Sequence, residues 1–347
     1  MKELTEFCKS FKKDFTPKIQ DATRPVRYWS EKDILNGNVI DAYVIILRTR
    51  GCSWALHSGC SMCGYFNDSM WDTISDDDLL TQFHTAMKQY NNEPVVKIFT
   101  SGSFLDDCEV GKKVQNTIIS SLAKSAEKIS VESRPEYVSE SKLSEIKKSL
   151  SSVQFEVGIG LETANDSIRK HSINKGFSFN QYERAAVLLK NFEMNVKTYL
   201  LVKPLFVTEK ESIDDCLHSI KKINGLTQTI SLNPTNVQRN TAVEYLWKRK
   251  QYRPPWLWSV VEILKESKTV TPAFVKCDIA GGGNRRGAHN CSSCDKNILD
   301  AIAQFSLSQD SSVFDDLTCL CKQEWLDQLD IEPFSFGSLI DFSQGVV

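Results

Sequence analysis

Six short runs of apolar and β-branched residues alternate with helix-like segments through the first two-thirds of this chain. They lie at residues 43–47 (YVIIL), 95–99 (VVKIF), 128–132 (KISVE), 154–159 (QFEVGI), 196–202 (VKTYLLV) and 229–232 (TISL). Helical patterning is read between them at 76–90, 112–128, 139–150, 180–191 and 209–223. Such alternation predicts βαβ crossovers and a parallel sheet, hence an α/β fold. Nearly every run ends in a polar or glycine-bearing motif, where α/β barrels place their chemistry. A partial barrel and a doubly wound open sheet share this linear pattern, and periodicity does not separate them. After Asn233 the texture changes to a stretch rich in Trp, Tyr, Arg and Pro, so a boundary is placed near residue 235.

Hydrophobic residues make up 41% of the 347 and charged residues 25%, the balance of a globular protein. No apolar run approaches the ~20 residues that cross a bilayer. The N-terminal MKELTEFCKSFKKDF lacks the apolar core of a signal peptide, so no membrane and a cytoplasmic location are expected. The net charge of −2 does not mark a polyanion binder as a whole, but charge is unevenly spread. Residues 239–286 hold ten Lys/Arg against four Asp/Glu, whereas residues 295–347 hold two against ten. A basic stretch before an acidic tail suits an oriented partner surface, and equally a solvated face balanced in three dimensions.

Eleven cysteines is an odd number, and six fall into two tight groups, which favours reduced, metal-binding thiolates over disulfides. Cys8, Cys108, Cys216, Cys319 and Cys321 are read as ordinary thiols. Cys52, Cys60 and Cys63 follow the first strand as C-x7-C-x2-C. Three thiolates hold three irons of a cubane and leave the fourth iron open to a substrate. A zinc site completed by His57 or by a distant residue is the alternative.

Cys277, His289, Cys291 and Cys294 form C-x11-H-x-C-x2-C in a glycine-rich loop. Four N/S ligands with a Cys-x2-Cys knuckle suit a closed structural zinc site, with Cys319 or Cys321 able to replace His289. An auxiliary Fe–S cluster and a metal-free turn are the other readings.

The loop RGCSWALHSGCSMCGYFND resembles that of radical S-adenosylmethionine enzymes, with wider spacing than their common C-x3-C-x2-C. Further motifs resemble the branch that contains the elongator catalytic subunit. They are TSGSF (100–104), VESRPEYV (131–138) and GIGLETANDSIRKHSINKGFS (158–178). With YLLVKP (199–204) and CDIAGGGNRRGAHNCSSCDKNILDAIAQFS, the narrower match is to the archaeosine-synthase radical S-adenosylmethionine subunits of archaea. The likeness runs from about residue 25 to about residue 310. TSGSF lacks the acid that many superfamily members carry there.

The resemblance implies a radical S-adenosylmethionine partial (β/α)6 TIM-like barrel with a C-terminal metal-binding, helical extension. The division would be 1–40 N-terminal extension, 41–235 barrel, and 236–347 extension with the Cys/His site and acidic tail. It implies a 4Fe-4S cluster on Cys52, Cys60 and Cys63. It also implies S-adenosyl-L-methionine contacts from Met62, Ser101, Gly102, Ser103, Glu132 and Glu162. Glu132, Arg134, Glu162 and Lys175 would be the catalytic set, acting through positioning, and structural Zn2+ would sit at the second group. The family's substrate is a lysine adduct of the preQ0 base in the tRNA D-arm. Radical hydrogen abstraction splits its C–N bond to leave archaeosine, a lyase reaction. A partner enzyme that forms the adduct and an external electron donor are then expected.

Residues 239–253 interleave Arg and Lys with Tyr245, Trp247 and Tyr252, the mix that grips phosphates and stacks bases. Trp256 and Trp258 read at least as well as core, and Arg24, Arg27 and the N-terminal lysines could extend the basic surface. Two other functions fit the residues. One is a different radical reaction on tRNA, methylthiolation or side-chain addition. The other is a non-enzymatic, zinc-bearing RNA-binding subunit, which predicts tetrahedral zinc at both cysteine groups.

Overall fold

The computed structural model describes residues 2–13, 20–70 and 74–334. The end of the acidic tail, 335–347, lies outside the described residues. Eight strands form one sheet: β1 (Arg27–Leu35), β2 (Asn38–Ile46), β3 (Val95–Phe99), β4 (Lys128–Glu132), β5 (Gln154–Glu162), β6 (Asn195–Val202), β7 (Thr229–Pro234) and β8 (Phe274–Cys277). Their order in the sheet is their order in the chain. β1 and β2 pair antiparallel, and every later neighbour pairs parallel. The helices are α1 (Lys2–Lys13), α2 (Ser53–His57), α3 (Asp76–Met87), α4 (Lys112–Leu122), α5 (Glu140–Leu150), α6 (Asp166–Ile168), α7 (Phe179–Asn191), α8 (Glu209–Lys222), α9 (Ala242–Lys248), α10 (Leu257–Val270), α11 (Asp295–Ser308) and α12 (Cys321–Ile331).

The expected α/β half-barrel is present, and the six strand-like runs are β2 to β7. Strand β1, which pairs with β2 as a hairpin, and the last strand β8 were not among them. Asn36 and Gly37, both at positive φ, make the two-residue turn that joins β1 to β2. Beyond residue 235 the chain adds β8, α10 and α11 to the same sheet and core.

Strand residues alternate between two environments, as a period of two dictates. Val96, Ile98, Ile129, Val131, Val157, Ile159, Val196, Leu200, Ile230 and Leu232 join the apolar core. Phe83 of α3, Ile118 of α4, Leu143 of α5, Leu189 of α7, Ile220 of α8 and Leu264 of α10 complete that core from the helix side. The alternate positions carry polar groups into the barrel: Lys97, Ser130, Glu156, Lys197, Tyr199, Ser231 and Lys276.

At the N-terminal end of the strands these charges pair. Lys128 donates to Glu156 at 2.6 Å, Lys97 pairs with Glu31 at 2.7 Å and with Asp33, and Lys276 lies 3.8 Å from Asp33. The last contact brings the two edge strands, β1 and β8, together across the curl. Among the described residues no helix is long and apolar enough to cross a membrane.

Candidate active site and a second cysteine group

The C-terminal ends of β2 to β5 feed the loops that carry the expected motifs, and short polar bonds lock those loops to one another. Leaving β2, Thr49 donates its hydroxyl to the Glu109 carboxylate at 2.6 Å, and the same hydroxyl accepts from the Gly51 amide at 3.2 Å. The other Glu109 oxygen accepts from the Ser103 amide at 2.6 Å. One buried carboxylate thus joins the start of the cysteine loop to the TSGSF loop. Burial pushes the Glu109 pKa up to about 7. Ser103 Oγ accepts from the Arg134 amide at 3.0 Å, which ties the TSGSF loop to the loop after β4. At Gly102 an added Cβ would stand 2.5 Å from Cys52 Cα, so only glycine lets the two loops approach this closely.

Cys52, Cys60 and Cys63 are all half-buried in this mouth. Burial raises the pKa of Cys52 and takes Cys63 up to about 12, with the neighbouring Cys60 adding to it. His57, offered as a further ligand of this loop, is exposed and its ring lies 5.3 Å from that of Trp54. Met62 is partly buried and packs against two apolar clusters, one with Leu205 and Val237 and one with Ile173 and Val207.

Around the thiols stand the four charged residues expected from the motifs. Lys175 Nζ donates to Glu162 Oε1 at 2.6 Å, and both side chains are nearly enclosed. Burial works against the Lys175 ammonium, but Glu162 and the Cys60 thiol outweigh it and its pKa is raised. Glu162 itself is held at φ 68, a conformation a non-glycine residue rarely adopts. Arg134 donates to Glu136 at 2.5 Å and to the Lys175 carbonyl at 3.0 Å, with its guanidinium over Trp54 and Phe177. Glu132 points into the barrel, where burial raises its pKa against a hydrogen bond with Tyr199. Ser101, Gly102 and Ser103 are present in the loop beside Cys52, with the Ser103 hydroxyl buried against the Arg134 amide.

The second cysteine group differs in membership from the expected one. Cys291, Cys294, Cys319 and Cys321 have their sulfurs all within 4.8 Å of one another. The neighbouring pairs are 3.8 Å (Cys291–Cys294), 3.6 Å (Cys291–Cys319) and 3.6 Å (Cys294–Cys321). Cys277 and His289 are not in this group, which corrects the C-x11-H-x-C-x2-C ligand set. Cys277 belongs to β8 and is buried in the apolar core, its amide bonded to Ser306 Oγ at 3.0 Å. His289 Nδ1 bonds the Gly287 carbonyl at 2.8 Å.

Cys319 and Cys321, read from sequence as ordinary thiols with one of them a spare ligand, both take part. The turn of α11 and the short helix after it carry the chain back over the knuckle. Donors surround the sulfurs: Trp258 Nε1 reaches Cys321 at 3.4 Å and Asn290 Nδ2 reaches Cys294 at 3.5 Å. Burial opposes the Cys291 thiolate, but the Ser293 and Cys294 amides outweigh it and bring the pKa down to about 7.

The number of thiols and their setting bear on what each group can hold. Tetrahedral zinc with bonds of ~2.3 Å needs sulfurs ~3.8 Å apart, which the Cys291 group meets. Cys52, Cys60 and Cys63 offer three thiolates in one loop. Three thiolates can hold three irons of a cubane and leave the fourth open, so this donor set fits a cluster.

No protein-family model matches the chain. Archaeosine synthase subunit beta of Methanosarcina acetivorans is 39% identical over 328 residues, which is 93% of this chain and 95% of that protein. The protein of the same name from Thermococcus kodakarensis is 37% identical over 306 residues, covering 86% of this chain and 94% of its own length. The chain belongs to the archaeosine synthase subunit beta family. Among solved structures, Elp3 of Methanocaldococcus infernus, lacking residues 1–46, superposes with a TM-score of 0.46 at 16% identity. That match covers 61% of this chain and 55% of the other.

In this member of the archaeosine synthase subunit beta family the aromatic residues of the basic stretch are largely engaged. Tyr245 packs on Phe7 and Phe11 of α1 at 5.2 and 5.8 Å. Tyr252 donates its hydroxyl to the Lys203 carbonyl at 2.6 Å. Trp256 and Trp258 are buried core residues. Trp247 is only partly buried and, with Phe206, Lys250, Arg253 and Arg285, lines a cleft of about 930 Å³ beyond the end of β6. Arg27 stacks on Trp29, and Lys12 turns inward to the cysteine loop.

Proposed function

We propose that the chain is a radical S-adenosylmethionine lyase that converts a lysine adduct of the preQ0 base in the tRNA D-arm to archaeosine. The observation that carries this reading is the convergence of Cys52, Cys60 and Cys63 with Glu132, Arg134, Glu162 and Lys175 at one mouth of the half-barrel. The family name of the relatives supports the substrate, and "subunit beta" supports a partner subunit that supplies the adduct. A bound 4Fe-4S cluster would supply the electron, taken from an external donor, that cleaves S-adenosylmethionine to the 5′-deoxyadenosyl radical.

The protein's own part is to hold and exclude. Gly102 lets the TSGSF loop lie directly against Cys52, so that the loop's backbone can reach a methionyl group held beside the cysteines. Glu132, buried with a raised pKa, offers a hydrogen-bonding wall within the barrel. The Lys175–Glu162 pair and Arg134 present fixed charges to the adduct's amino-acid end, so that one C–H faces the radical. Enclosure of these groups keeps water from quenching it.

The cleft with Phe206, Trp247, Lys250 and Arg285 suits single-stranded or unstacked nucleotides of the tRNA. At the Cys291 group the four close thiols support structural zinc. The non-enzymatic reading, with zinc at both groups, leaves the buried Lys175–Glu162 pair beside the cysteine loop without a role.

The test is anaerobic. The chain is reconstituted with iron and sulfide and reduced in the presence of S-adenosylmethionine and adduct-bearing tRNA. Formation of 5′-deoxyadenosine together with archaeosine-containing tRNA is the expected result. Cofactor cleavage with an unchanged adduct would leave the superfamily standing and remove the substrate.

A further inference from the structure

Helix α1 reaches the cysteine loop through the Lys12 side chain and the Thr5 carbonyl. Lys12 Nζ donates to the Ala55 carbonyl at 3.0 Å and the Ser58 carbonyl at 2.5 Å, inside the stretch between Cys52 and Cys60. Gly59, at φ +85, leaves the space that Lys12 Nζ fills; a Cβ there would overlap it. The Thr5 carbonyl accepts from Ser58 Oγ at 3.1 Å, and Thr5 Oγ1 donates to Asn174 Oδ1 at 3.0 Å. Asn174 in turn donates to Ser58 Oγ and to the Gly59 carbonyl, both at 2.8 Å. Cys8 is buried on the same face, where its thiol and that of Cys60 influence each other. Phe7 and Phe11 anchor the helix on Tyr245 of α9.

The Lys12 ammonium is therefore enclosed and close enough to feel the thiols of Cys63, Cys60, Cys8 and Cys52. Its partners are carbonyl oxygens and the ring of Phe66, 4.9 Å away. Among the described residues no Asp or Glu pairs with it. No described carboxylate neutralises this cation, and its field reaches the cysteines. Reduction of a thiolate-ligated cluster by one electron adds negative charge, and a nearby buried cation favours the more negative state.

We propose that Lys12 is a positioning residue of the cysteine loop. It ties the Ala55 and Ser58 carbonyls in place and holds a positive charge against the cluster on Cys52, Cys60 and Cys63, making that cluster easier to reduce. The proposal rests on the cluster assignment made above. It gives α1 a function distinct from substrate binding: the helix sets the reducibility of the centre it covers.

The experiment compares the full-length wild type with Lys12→Met and Lys12→Arg, each reconstituted with iron and sulfide. Iron per chain is counted, and the midpoint potential is read by dithionite titration followed by the EPR signal of the reduced cluster. Lys12→Met is expected to move the midpoint to more negative potential, and Lys12→Arg to keep the wild-type value. A Lys12→Met protein with full iron and an unmoved midpoint overturns the proposal. If Lys12→Met holds no cluster, Lys12→Arg decides. Restored iron at the wild-type midpoint supports the role of the charge, and loss of the cluster in both overturns it. A wild type that binds no cluster at all sinks the assignment of the loop itself, an outcome distinct from an unmoved potential.

Discussion

The two cysteine groups of this protein are built from the same ligand chemistry and differ in almost everything else. Cys52, Cys60 and Cys63 stand at the mouth of the half-barrel, among buried charged side chains, in a loop held by α1, Glu109 and Asn174. Cys291, Cys294, Cys319 and Cys321 close on one another, with indole, amide and backbone donors aimed at sulfur. A metal site with an open position does chemistry, and a site whose every position is filled by protein does construction. The surroundings of the sulfurs, more than the ligand type, tell the two apart here.

Replacement of single cysteines breaks the comparison most strongly. Cys60→Ala is expected to abolish 5′-deoxyadenosine formation while leaving the thermal midpoint near that of the wild type. Cys321→Ser is expected to do the reverse in kind. It should lower stability by several kcal/mol through loss of metal-linked folding energy, and zinc per chain should fall in the same sample. A Cys321→Ser protein that melts like the wild type would show that the group is not structural.

Next in size is Lys175→Met, which leaves the Glu162 carboxylate buried without its partner. Formation of 5′-deoxyadenosine is expected to fall by on the order of 100-fold through misplacement at the reacting centre, with iron content unchanged. An unaltered rate would remove Lys175 from the working site.

Glu109 sharpens the contrast through pH. Its pKa rises to about 7 in the fold by burial, against ~4.3 for an unfolded glutamate. Between those values the folded chain keeps the proton and the unfolded chain has lost it. The contribution of this group is therefore full below pH ~4 and declines as pH rises to about 7, by roughly 3 kcal/mol. Glu109→Gln should flatten that part of the stability profile, between about pH 4 and about pH 7, without touching the Cys291 group. Asp215, also raised to about 7 by burial, would supply the slope that remains.

The smallest effect is expected at Asn290→Ala. It removes a donor to Cys294 and is predicted to weaken metal retention by about tenfold in competition with a chelator.

Much of this was legible in the amino-acid sequence, for reasons that can be named. β3 and β4 match their sequence-read ranges because a buried parallel strand must be a compact apolar run bounded by polar loops. The motifs at the ends of β2 to β5 were visible because short loops keep their residues together. β1 escaped because its sequence, RYWSEKDIL, is mostly polar, and only the Asn36-Gly37 turn marks it as half of a hairpin. Glu109 escaped because the acid that braces TSGSF is six residues beyond Ser103 and reaches back only in three dimensions. The membership of the second group was misread because His289 is near Cys291 in sequence, whereas Cys319 is near it only after α11 has turned the chain back. The pair Cys319-x-Cys321, set against Cys291-x2-Cys294, was the signal that could have revealed it.

The unbroken strand order has a consequence for how the molecule is made. Each strand from β2 onward pairs with the one synthesised just before it, so the sheet can lengthen as the chain leaves the ribosome, with no strand inserted between two others. The cysteine loop after β2 cannot settle at once, because Asn174 and Lys175 arrive more than a hundred residues after Gly59. The Cys291 group waits longer still, for Cys321 near the end of the described chain. Metal capture there comes after the barrel has formed, and serves as a late clasp on work already done.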